Sequence, residues 1–234
     1  MKLGIFTDPH CCAAARIGDI RRPALSMGKL QESVALFTAE GVDAVICLGD
    51  LLNIWGTQQE MEKCLDEVSA LLRDPGIPVL CCPGNHDCEI FEKDEFIRRS
   101  GLICAPACVD MGGVRLILLD ANYFSDGGSY TPARSDWTDS CLPESELERL
   151  KKVLDTDLPC YIFLHQVLDP AVEPRHIVKN ANEIRTILAA AGNVRGVWQG
   201  HYHLGAENVI DGIPYHTLPA VCDRENNPRV VVEL

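Results

Sequence analysis

The strongest constraint on this chain is a rhythm: short apolar runs, each ending in a cluster of Asp, Asn, His or Gly. Residues 3–7 lead into Asp8-Pro9-His10 and residues 42–48 into Gly49-Asp50. Residues 78–82 lead to Gly84-Asn85-His86-Asp87, residues 160–164 to His165, and residues 194–199 to Gly200-His201-Tyr202-His203. Apolar, β-branched runs of this length bounded by turn residues read as buried strands. Helical periodicity lies between them. Residues 27–40 place Leu30, Val34 and Phe37 on one face, with Gly41 as the stop, and residues 58–73 align Met61, Leu65, Val68 and Leu72. Shorter helices are expected over 91–99, 143–153 and 180–191.

Strands alternating with helices predict an α/β fold. The rest adds antiparallel character: 109–119 with a turn at Gly112-Gly113, and closing strands over 209–218 and 229–234. Residues 122–140, carrying Gly, Ser, Asp and Pro, read as a long loop, a length that is often functional. No repeat, low-complexity tract or linker divides the sequence, so residues 1–234 are expected to form one domain.

Charge narrows the partners. The net charge is −13, the wrong sign for a general binder of long nucleic acid. No apolar run approaches the roughly 18 residues of a membrane span, and the N-terminus meets Asp8 too early for a secretory core. The expected setting is cytoplasmic, away from membranes. The 12 cysteines then read as free, mostly buried thiols. Cys104 and Cys108 could pair or share a metal, but they supply only two of the four ligands of a closed zinc site. The absence of any C-x-x-C argues against a redox or zinc protein. The segment from Cys11 to Arg16 has too few intervening residues for a cysteine-phosphatase loop.

In α/β sheets, ligands bind beyond the carboxyl ends of the strands. Five segments here deliver Asp, Asn and His to such ends. Asp8 and His10, like His201 and His203, are two residues apart, so an extended segment points both the same way. Of seven histidines, five (10, 86, 165, 201 and 203) fall in these segments. A lone strand-end His is more often a satisfied core or surface residue. Five together, with two aspartates and an Asn, read as a donor set of oxygen and imidazole nitrogen suited to Mn, Fe or Zn.

The order D-x-H, G-D, G-N-H-D, H, G-H-x-H across positions 8–203 resembles the calcineurin-like metallophosphoesterase superfamily. The resemblance implies a sandwich of two mixed β-sheets flanked by helices, with two metal ions at the strand ends. It implies one metal held by Asp8, His10, Asp50 and His203, and another by Asp50, Asn85, His165 and His201, with Asp50 shared. It further implies in-line attack on phosphorus by a metal-bridging hydroxide, with His86 assisting the leaving oxygen and Asp87 orienting His86. A helix N-terminal role for Asp87 is the plainer reading of the same residue.

Leu51-Leu52-Asn53 and Asp87 depart from the D-R-G and G-N-H-E of the superfamily's protein phosphatases. Arg21-Arg22 through Leu30, residues 176–185 and the stretch from Asp211 are similar to the manganese-dependent ADP-ribose/CDP-alcohol diphosphatases and their bacterial relatives. His10 stands where the eukaryotic members have Gln, and class III cyclic-nucleotide phosphodiesterases share the His10-type motif. The expected substrate is therefore a small phosphodiester or nucleotide diphosphate. The alternatives are a phosphomonoesterase, a nuclease, or a non-catalytic scaffold on the same fold. The intact donor set and His86 weigh against the scaffold. Asn122, Arg134 and His176 are candidate substrate contacts, with Tyr123 and Trp137 beside them; His216 is expected to be structural.

Overall fold

The computed structural model describes residues 1–234. Two mixed sheets face one another. The first has five strands in the order β11-β1-β2-β3-β4, drawn from β1 (Lys2–Phe6), β2 (Ala44–Cys47), β3 (Val79–Cys81), β4 (Ile103–Cys104) and β11 (Val230–Glu233). Only β11 runs antiparallel, against β1. The second has six strands in the order β5-β6-β7-β8-β10-β9. These are β5 (Ala107–Met111), β6 (Val114–Leu118), β7 (Cys160–Leu164), β8 (Val194–Gln199), β9 (Ala206–Ile210) and β10 (Ile213–Thr217). Its core β6-β7-β8-β10 is parallel, and both edges are antiparallel.

Strand alternation explains why these runs are apolar throughout. Leu3, Ile5, Ala44, Ile46 and Leu80 point into the layer between the sheets, where they meet Leu116, Leu118, Phe163 and Trp198. Their neighbours Phe6, Val45, Cys47, Val79 and Cys81 point outward, beneath α1 (Pro23–Glu40), α2 (Gln58–Arg73) and α4 (Lys93–Ser100). On the far side, Ile117, Cys160, Ile162 and Val197 lie under α5 (Glu144–Leu154) and α6 (Ala181–Ala191). A strand buried on both faces has no polar side. Each fully buried large apolar side chain contributes about 1.5–3 kcal/mol. The inter-sheet layer alone holds 14 buried residues, a rigid base for the loops at its edge.

Several boundaries differ from the expectation. The first helix begins at Pro23, whose fixed φ suits the first helical turn, rather than at residue 27. The helix expected over 91–99 is α4, Lys93–Ser100, and a further short helix that was not expected precedes it. The short α3 (Asn85–Ile90) ends where Phe91 turns extended, and α4 follows. The closing strand over 209–218 is a hairpin, β9 and β10, turning at Asp211-Gly212, both with positive φ. That Asp-Gly pair is itself a hairpin signal. The Gly112-Gly113 turn joins β5 to β6 as expected. The 122–140 stretch is irregular but anchored by buried Tyr130 and Phe124. All 12 cysteines are free, and only Cys108 is exposed.

Candidate metal centre

The carboxyl ends of β1, β2, β3, β7 and β8 meet at one edge of the sandwich. Main-chain bonds lash the loops together: Asp8 N to Gly49 O at 3.0 Å, His10 N to Asp50 O at 2.9 Å, and Gly200 N to His165 O at 2.9 Å. The approach is so close that a Cβ on Gly84 would strike the Asp50 carboxylate, and one on Gly200 the Thr7 hydroxyl. The backbone is also strained. Asp8, His10, Asp50 and His201 all have φ between 46° and 64°. Such conformations cost about 1–3 kcal/mol each and persist only where the surroundings over-determine them. Four of the six non-glycine residues with positive φ lie in this one cluster.

Two groups of donor atoms converge. In the first, His10 Nε2 lies 3.3 Å from His203 Nε2, 3.5 Å from Asp8 Oδ1 and 3.4 Å from Asp50 Oδ2. His203 Nε2 is 3.4 Å from Asp8 Oδ1. In the second, His165 Nε2 lies 3.3 Å from Asn85 Oδ1 and 3.5 Å from the same Asp50 Oδ2, with His201 in the same cluster. Donors around one ion at about 2.0–2.1 Å must sit roughly 3–3.4 Å apart. Asp8 Oδ1 and His201 Nε2 are buried with no hydrogen-bond partner. Unpaired buried polar atoms are costly, so these residues fit bound cations. One carboxylate oxygen, Asp50 Oδ2, belongs to both groups.

Several atoms of these residues that face away from the centre are tied back into the protein. Asp50 Oδ1 accepts from His86 N at 2.9 Å. Asp8 Oδ2 accepts from the Thr7 hydroxyl at 2.6 Å and from His201 N at 2.9 Å. His165 Nδ1 donates to Leu48 O at 2.7 Å, and His203 Nδ1 pairs with Asp223 Oδ1 at 3.2 Å. These contacts fix the tautomers of His165 and His203 and leave their Nε2 atoms facing the centre, whereas His10 Nδ1 is buried without a partner.

The electrostatics register a demand for positive charge. Burial opposes ionisation of Asp8 and Asp50, but the surrounding histidines outweigh it and hold both well below the usual carboxylate range. Burial also opposes charge on His165 and His203. Asp50 and Asp8 nevertheless raise His165 to about 9, and hydrogen bonds to Asp223 and Asp8 raise His203 to about 12. Burial wins at His10, lowered to about 3, and at His201.

The centre opens into a depression of about 450 Å³, lined by Asp50, Asn85, His86, His201 and His203, with Arg21, Trp137, Arg175, His176 and Tyr202 on its walls. His86 contacts the His10 ring edge-on, with centroids 4.8 Å apart. His176 stands 5.2 Å from the His201 ring and 5.1 Å from Trp137.

Three expected roles change. Asp87 does not reach His86. Its carboxylate accepts from Gly84 N at 2.9 Å, Leu52 N at 3.1 Å and Leu51 N at 3.3 Å, joining two of the donor loops. Burial and nearby Asp50 raise it to about 7 despite those three donors. The carboxylate beside His86 is Glu89, one turn on, with Oε2 3.4 Å from Nδ1. Asn122 is fully buried: it donates to Pro83 O at 2.7 Å and accepts from Gln166 at 2.6 Å, so it supports the third loop from behind. Arg134 is exposed, pairs with Asp126 at 2.7 Å and covers Phe124, away from the depression. Tyr123 lies under Lys93. Asp223, Glu89, Arg21 and Arg175 lie outside the strand-end motifs, and Tyr202 lies within one but between the two histidines that carry its donor pattern, so the sequence reading assigns none of the five a site role.

A two-sheet sandwich presenting paired His/Asp clusters at its strand ends is the framework of a metal-dependent phosphoesterase. The profile of the calcineurin-like phosphoesterase family matches residues 1–205, and the chain belongs to that family. It is 27% identical over 77% of its length to a probable cyclic nucleotide phosphodiesterase of Psychrobacter arcticus, of which the match spans 63%. It is 24% identical over 95% of its length to a 3',5'-cyclic adenosine monophosphate phosphodiesterase of Haemophilus influenzae, spanning 77% of that protein. A dimetal phosphatase from Danio rerio has the same fold, with a TM-score of 0.86, 19% identity, and coverage of 100% of this chain and 92% of that one. No helix is long and apolar enough to cross a membrane.

Proposed function

We propose that this chain hydrolyses a small phosphodiester or nucleotide diphosphate at a centre of two metal ions. Asp8, His10, Asp50 and His203 would hold one ion, and Asp50, Asn85, His165 and His201 the other. The observation that carries this reading is Asp50 Oδ2, placed 3.4 Å from His10 Nε2 and 3.5 Å from His165 Nε2 as the common corner of two donor sets. The oxygen and imidazole donors suit Mn, Fe or Zn. When bound, two such ions acidify a water and neutralise phosphoryl oxygens.

The chain's own groups do the rest. The surrounding histidines hold Asp50 and Asp8 ionised, and main-chain N–H groups fix one oxygen of each carboxylate, so the site is preorganised before substrate arrives. His86, at the floor of the depression, delivers a proton to the departing oxygen. Glu89 steadies its Nδ1 edge. Trp137, His176 and Tyr202 form an aromatic wall, and Arg21 and Arg175 supply positive charge to a substrate anion. The names of the two relatives and the small volume of the depression favour a nucleotide-sized diester. The −13 charge disfavours long nucleic acid.

The test is hydrolysis of an aryl phosphodiester by chelated protein, then by protein reloaded with Mn. Activity should return with metal and stay absent in Asp50→Asn. Full occupancy by Mn, Fe or Zn with no turnover of any diester or nucleotide diphosphate would contradict the proposal.

A further inference from the structure

Lys29 lies on α1 with 5% of its surface exposed, an unusual place for an ammonium. It pairs with main-chain carbonyls: Val221 O at 2.6 Å, Arg224 O at 2.9 Å and Asp223 O at 3.4 Å. Three donors meet three acceptors of a single turn of chain. That turn carries Asp223, whose carboxylate holds His203 Nδ1 at 3.2 Å and also takes the Cys222 thiol at 3.3 Å. We infer that Lys29 is a positioning residue for the first donor set, gathering the carbonyls of Val221, Asp223 and Arg224 into an arc that aims Asp223 at His203.

The alternative is that Lys29 merely fills space. Burying an ammonium is costly and tolerated only when its donors are met. A Leu or Met would fill the same volume without that cost. The arc also needs a device to hold it. Arg224 sits at φ 51°, a left-handed conformation that a bulky residue adopts only under constraint. Its carbonyl is one of the three that Lys29 captures. On its other side the arc is locked to the donor loop itself: Val221 N bonds Thr7 O and Cys222 N bonds Asp8 O, both at 3.0 Å. Arg22 N bonds Cys222 O at 2.7 Å, and Asn227 reaches back to Lys29 O at 2.7 Å. Lys29 therefore closes a path from the outer helix to His203.

The inference rests on the reading of His203 as a metal ligand. Chelator competition with Mn(II) separates the two claims, with the thermal midpoint of metal-free protein measured alongside. Wild type is expected to bind two ions per chain. Lys29→Met is expected to weaken one of them about 10–100-fold, the usual effect of losing support behind a ligand, and to leave the other unchanged. Asp223→Asn should give the same pattern. The double variant should be little worse than either single one, because both act on one contact. Lys29→Gln, which donates but carries no charge, should lose about tenfold; it also serves if Lys29→Met does not fold. A lower midpoint of the metal-free Lys29 variants with both affinities intact would overturn the inference. A wild type that does not bind two ions would overturn the reading of His203 instead.

Discussion

The two donor sets share Asp50 yet are built differently. In the second set, His165 is anchored through Nδ1 to a main-chain carbonyl, Leu48 O, at the end of a core strand, and is itself 1% exposed. In the first, the His203 side chain is 17% exposed, and its Nδ1 partner is a side chain, Asp223, carried on a loop. A backbone carbonyl on the sandwich cannot be substituted or moved without disturbing the core. A carboxylate on a loop can. The second set should therefore be a fixed part of the fold, and the first a part whose affinity individual side chains tune.

The largest effect is expected at the shared corner. Asp50→Asn should lose both ions and more than about 10³-fold in turnover, since metal ions supply several kcal/mol of transition-state stabilisation. Metal analysis and diester hydrolysis check it, and one ion retained at full affinity would break the idea of a common ligand. His86→Ala should keep both ions and lose about 10²–10⁴-fold on a diester with a poor leaving group, the range for general-acid help. With an activated aryl leaving group the loss should shrink. Asp223→Asn comes next: one Mn(II) affinity falls about 10–100-fold and the other holds. Equal weakening at both ions would erase the distinction between the sets. Glu89→Gln should cost less than about tenfold in kcat, because it steadies His86 without touching the donors. Smallest of all, Arg134→Ala should leave activity unchanged and shift stability by no more than about 0.5 kcal/mol, as for other exposed positions.

Much of the donor cluster was legible because each of its residues follows an apolar run. Burial on both faces makes those runs conspicuous, and the strand end fixes where the next side chain goes. The same logic placed most of the strands and helices, while the two-sheet arrangement came from the family resemblance. Both failed where the signal was tertiary. The family resemblance implies Asp87 as a partner for His86, but helix α3 turns its carboxylate back onto the N–H groups of Gly84, Leu51 and Leu52, in keeping with the plainer helix N-terminal reading. Glu89, one turn further, comes to His86 instead. Asn122 follows a strand end as the donors do, yet its amide is consumed by Pro83 and Gln166. Asp223 and Lys29 carry no local pattern. They meet across |i−j| of 192–195, through carbonyls that any residue would present. The hairpin at Asp211-Gly212 was visible in the sequence as a turn dipeptide, but the apolar residues flanking it read as one strand.

The claim on which everything else depends is that one carboxylate joins two metal sites. The direct test is electron paramagnetic resonance of protein titrated with Mn(II) to saturation. Two ions sharing Asp50, at the separation of about 3.5–4 Å usual for two-metal sites, should give an exchange-coupled multiline spectrum at two Mn per chain. Asp50→Asn should abolish it. Saturation at one Mn, or two Mn with the six-line signal of isolated ions, would contradict the account.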